Sequence, residues 1–233
     1  MSSLPVAAIL ATWLDAFRSG QVGPDDVADA VRGDDPRHLV TGVDDHRTLE
    51  LHELPALLDG PISLALPAPG DLLGLGGPQE LNLAALDAGQ AVVVGKVGLV
   101  PFEDARTVVW SAYPAEPAPW VDERETAIEL RTTLAEVTRR LVDLDVASWQ
   151  PDIPDLLMNL RHRPPLPLPR GIDVRRVETL DRALLCLEIV ALARAGDGGA
   201  VTSYEMQQRA GALGELDRAA RRAVVGACSG RAG

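Results

Sequence analysis

Between Val6 and Phe17 the apolar residues Val6, Ile9, Leu10, Trp13, Leu14 and Phe17 recur at steps of three and four. That is the period of an amphipathic helix, and Ser3 with Pro5 provides a start and Gly20 a stop. Gly23-Pro24-Asp25-Asp26 opens a second, short helix that ends at Gly33. The paired acids there complement the helix dipole, a sufficient reason for their presence without catalysis.

The pattern then changes to short β-like runs at residues 38–41, 47–52 and 62–66. Gly77-Pro78 opens a helix through Ala88, with Gly89 as its C-terminal stop. Residues 91–94 are β-like and are read as continuing to Val100, bent at Gly95 and Gly98. Residues 106–113 make a further strand, with 101–105 as the loop between two antiparallel strands. The order strand, helix, strand from Ile62 to Val94 predicts a parallel βαβ unit.

Pro114, Pro117 and Pro119 form a stiff segment and mark a boundary. After it, Asp122 and Glu125 read as a capping box for a long helix. Ala127, Leu130, Leu134, Val137, Leu141 and Leu144 give that helix a seam of about three heptads. A second proline run, Arg161 to Arg170, is read as a rigid connector, although its spacing also suits a polyproline ligand. Residues 177–195 are apolar almost all round, as a central buried helix would be. Helices over 204–209 and 215–228, parted by Gly211 to Gly214, close the chain. The expected fold is α+β: a small mixed sheet with flanking helices in residues 1–120, and a helical part in 121–233 packed on it or merged with it into one domain.

Composition narrows the function more than any motif does. Of the 233 residues, 46% are hydrophobic, enough for a sizeable core, while aromatics are 3%, so Leu, Val and Ala must fill it. A formal net charge of −12 repels phosphate backbones and anionic membranes, so neither nucleic acid nor a membrane is an expected partner. Lys96 is the only lysine, a skew that a GC-rich bacterial genome would impose, and it discounts arginine richness as a signal. Two distant cysteines, no basic leader and no long apolar run suggest a reduced, cytoplasmic protein.

Four stretches carry candidate chemistry. Gly70, Gly74, Gly76 and Gly77 lie between a strand and a helix, where backbone amides can cradle phosphate. Against that, Pro78 removes a donor, Asp71 and Glu80 repel an anion, and no Walker lysine follows, so a bend in the chain is the preferred reading. On a strand, His46, Glu50 and His52 would share one face and supply metal ligands, but a half-buried edge strand shows the same alternation. Leu130, Leu134, Val137 and Leu141 are the candidate interface of a homodimer. Arg218, Arg221 and Arg222 near the last two helices imitate a helix-turn-helix, which helix packing explains equally well. No nucleophile motif is visible, and no cofactor or tightly bound metal is expected. The expectation is a non-catalytic protein that binds a protein partner or a small ligand and self-associates. Its rival is an enzyme acting on a phosphorylated or anionic small molecule at the glycine loop.

Overall fold

The computed structural model describes residues 4–33, 37–44, 47–104, 107–143, 165–195 and 203–230. Its strands are β1 (Arg37–Thr41), β2 (Leu49–Glu50), β3 (Ile62–Ala65), β4 (Ala91–Val94), β5 (Val97–Asp104) and β6 (Thr107–Pro114). Its helices are α1 (Val6–Arg18), α2 (Pro24–Arg32), α3 (Leu54–Leu57), α4 (Gln79–Ala88), α5 (Glu123–Asp143), α6 (Val174–Ala195) and α7 (Ser203–Cys228). The fold is α+β, with a six-stranded mixed sheet in the N-terminal half. Two compact units result. The sheet unit holds residues 4–122, 167–173 and 225–230; the helical unit holds α5, α6 and α7 up to Val224.

The sheet order is β2-β1-β6-β5-β4-β3. β1 runs parallel to β6, and the other neighbours are antiparallel. One face, carrying Leu64, Val92 and Leu99, packs beneath α1, whose Ala7, Leu10, Ala11 and Leu14 are buried. The other face buries Ala65, Ala91, Val93 and Val100 with Leu81 and Ala85 of α4. At the centre Trp110 is fully buried and donates its indole N–H to the Nδ1 of the buried His38 at 3.2 Å, which satisfies the indole in the core.

Three strand expectations change. β3 and β4 are antiparallel, with Ile62 opposite Val94, so no parallel βαβ unit forms. The reason is the chain between β3 and α4. The Leu66 amide donates to the Leu73 carbonyl at 3.2 Å, and the Glu116 amide donates to the Gly77 carbonyl at 2.9 Å. Glu116 follows Pro114, which pairs with Val97 at the end of the sheet where β3 begins. The loop thus carries the chain back to that end before the helix starts, adding one reversal to the topology. Second, residues 91–100 are two strands around the turn Gly95-Lys96, not one bent strand. Gly95 has φ +58°, and a Cβ there would stand 2.2 Å from the Asp59 carbonyl oxygen, so both its conformation and its contact demand glycine. Third, β5 continues through Pro101, which pairs with Trp110. β4 pairs only with Val97–Leu99, so beyond Leu99 β5 runs along β6 alone and tolerates a residue without an N–H.

β3 is an outer strand, whose free backbone groups would invite pairing with another chain. The residues after α7 cover it. The Leu64 amide donates to Ser229 Oγ at 3.1 Å, and the Gly230 amide donates to the Ile62 carbonyl at 3.0 Å. The Ser229 hydroxyl in turn donates to the Val225 carbonyl at 2.8 Å.

In the helical unit, α5 buries the single stripe Thr126, Leu130 and Val137. Ion pairs Glu129–Arg222 at 3.0 Å and Arg140–Glu215 link it to α7 in antiparallel sense, and Glu123–Arg176 at 3.9 Å links it to α6. Residues 204–228 lie in one continuous helix through Gly211 and Gly214, so the turn needed for a helix-turn-helix is absent. Two mid-helix glycines weaken a helix by about 1 kcal/mol each without ending it when the flanking residues are buried. α6 is not buried all round: it hides Leu180, Ala183, Leu184, Cys186 and Val190, while Asp181, Ala191 and Leu192 are exposed.

Candidate functional site

The glycine loop is pressed against backbone at two of its four glycines. A Cβ on Gly74 would stand 2.4 Å from the Leu64 carbonyl oxygen and 2.6 Å from Ala65 Cα. One on Gly76 would stand 2.5 Å from the Pro117 carbonyl oxygen. Gly70 faces open space, and a Cβ on Gly77, at φ +112°, would meet the Glu116 carboxylate at 3.6 Å. Close approach of chain to chain accounts for Gly74 and Gly76, and a carboxylate stands where an anion would have to sit.

His46 lies outside the described residues. The strand that was to align it with Glu50 and His52 ends at Glu50, because the next three residues form a 3₁₀ turn. Glu50 pairs with Arg37 at 3.2 Å, and His52 is exposed on the turn. The turn is fixed by its own carboxylate: Glu53 accepts from the Glu50 amide at 2.9 Å and from Arg47 at 2.6 Å. Those two donors, the amide first, hold the Glu53 carboxyl below its ordinary range. Local capping explains the charge pattern read as a metal face. Among the described residues no three metal-ligating side chains converge.

Of the seam residues, Leu130 and Val137 are buried within the chain, and Leu134 and Leu141 are half-buried. Arg221 pairs with Asp217 at 3.0 Å and Arg222 with Glu129, so the basic cluster of α7 is tied up in ion pairs. Both cysteines are buried and neither is in a disulfide, and burial raises the Cys186 thiol above its ordinary value, away from the reactive thiolate.

No run of the sequence announces the open depression of about 700 Å³ in the sheet unit. Asp15, Phe17, Arg18 and Ser19 at the end of α1 face Pro55, Asp59, Gly60 and Pro61, and Gly230 closes one side. The Arg18 guanidinium donates to the carbonyls of Leu58 and Gly60, and Asp59 accepts from the Gly60 amide at 2.7 Å. Its charged groups therefore hold the loop in shape. The lining residues are up to 215 positions apart, so no local pattern could have announced them.

Among the described residues no helix is long and apolar enough to cross a membrane. Comparison with known proteins places the chain among relatives. No solved structure matches it. Two proteins from strains of Mycobacterium tuberculosis, "Uncharacterized protein MT1533" and "Uncharacterized protein Rv1486c", are each 32% identical to it over 120 residues. The match covers 40% of this chain and 42% of the relative, so the chain spans less than half the length of these curated relatives. The model of the N-terminal domain of Rv1486c-like proteins matches residues 7–123, and that of the C-terminal domain matches residues 124–225. The chain belongs to the Rv1486c-like family.

Proposed function

We propose that this chain is a non-catalytic interaction protein that self-associates. One observation carries the reading. Arg209 donates to the Ala193 carbonyl at 2.7 Å, which sets the first turns of α7 beside the last turn of α6. There Leu192, Met206 and Tyr204 are 36%, 53% and 67% exposed. Three exposed large apolar side chains on adjoining helix ends are surface that water disfavours and that a protein partner would cover. The favoured occupant is a second copy. Two-fold dimers are the commonest oligomers, and in one the same surface is covered by its own copy.

Light scattering at micromolar concentration tests this. The expected mass is twice 24.8 kDa, falling to one chain in Met206→Glu. A wild-type mass of one chain rejects self-association, and a dimer that survives Met206→Glu with Tyr204→Glu rejects this surface. The rival reading, an enzyme for anionic small molecules, gains no support from the glycine loop, where backbone fills the space beside Gly74 and Gly76.

A further inference from the structure

α1 is apolar on two faces, and the sheet accounts for only one of them. Ala7, Leu10, Ala11 and Leu14 are buried toward the strands, while Ile9 and Trp13, one turn apart, lie half-buried on another face. The end of the second proline run reaches Trp13 on that face. The Trp13 indole N–H donates to the Pro167 carbonyl at 2.8 Å across 154 positions of sequence. Leu168 is half-buried and Pro169 buried, while Pro167 and Arg170 are exposed. Gly171, at φ +85°, then turns the chain away toward α6.

We infer that the Ile9–Trp13 face of α1 is a docking surface for proline-rich peptide, occupied in this structure by the chain's own residues 167–170. The chemistry of both sides supports it. Proline has no N–H, so such a segment cannot enter a strand ladder and offers only carbonyl acceptors and ring surfaces. Its fixed φ leaves little backbone freedom to lose on docking. Aromatic surfaces that read proline segments supply what such a ligand lacks: a directed N–H and a flat apolar ring. Among the described residues, no backbone–backbone hydrogen bond joins 167–170 to α1, so this contact rests on side chains and can be exchanged. Nothing in this inference depends on self-association, which uses other residues.

The probe is an acetylated peptide with the sequence of residues 165–171. The site is vacated by replacing residues 165–169 with Gly-Ser-Gly-Ser-Gly in the full chain. Calorimetry should show one peptide per vacated chain and at least about tenfold weaker binding to wild type, where the tethered segment competes at an effective concentration near the millimolar range. Adding Trp13→Phe to the vacated chain should weaken binding about tenfold. Equal binding to both chains, no binding to the vacated folded chain, or indifference to Trp13→Phe each overturns the inference. Should the vacated chain fail to fold, Trp13→Phe alone decides. Trypsin cleavage after Arg170, a site that needs no amide protection to follow, should accelerate about tenfold, and an unchanged rate overturns the inference.

Discussion

In the sheet unit most glycines stand where the backbone takes a positive φ, whereas the glycines within α7 stand inside a helix with open space beside them. All ten described glycines with positive φ lie in the sheet unit. At Gly211 and Gly214, by contrast, an added Cβ would meet nothing within 4 Å. The difference shows two ways of specifying a shape. The sheet unit is set by a few backbone positions that admit one residue type. The helical unit is set by a buried stripe on each helix and by ion pairs between them, and its glycines only weaken it.

The contrast breaks most visibly at Gly95. Gly95→Ala places a methyl 2.2 Å from the Asp59 carbonyl oxygen and forces a left-handed conformation, so it should cost about 4 kcal/mol in denaturant unfolding. A loss below about 1 kcal/mol would show that the turn yields and that geometry does not govern this unit. In the helical unit the matching loss comes from truncation. Leu130 is fully buried, and Leu130→Ala should cost about 3 kcal/mol by the same measurement. The same Gly-to-Ala change should reverse its sign in α7: Gly211→Ala should stabilise by about 0.5–1 kcal/mol, and destabilisation would mean that the site is not open.

The smallest effect concerns pH. Arg140 hydrogen-bonds the Glu215 carboxylate and holds its pKa below the ordinary value. A depressed folded pKa contributes stability above the unfolded value, and that contribution fades as pH falls through the folded one. Because the pair is largely exposed, Glu215→Gln should change thermal stability only slightly at pH 7 and not at all in strong acid. A large difference at pH 7 would show the ion pairs to be a main support of this unit.

Periodicity in the sequence predicts α1, α2, α4, α5 and most of the strands, because each buries one face and its apolar spacing records that burial. Strand direction escapes it. The turn chemistry of residues 70–78 announces a bend but not how far the bend carries the chain, and that distance decides between parallel and antiparallel β3 and β4. The alternation of residues 46–52 mimics a strand because a carboxylate cap at Glu53 and ion pairs from Arg37 and Arg47 impose the same spacing of charges. The depression beside Arg18 and the meeting of Trp13 with Pro167 join distant residues, and no window of sequence contains both partners.

Ser229 and Gly230, which cover the outer edge of β3, are synthesised after the three helices of the helical unit. A ribosome releases them only after α5, α6 and α7 have emerged. Throughout that interval strands β1 to β6 are available while the Ile62 carbonyl and Leu64 amide still lack their final partners. The nascent sheet must wait for all three helices before its edge is sealed, and during translation it presents the surface that chaperones recognise and that neighbouring nascent chains can pair with.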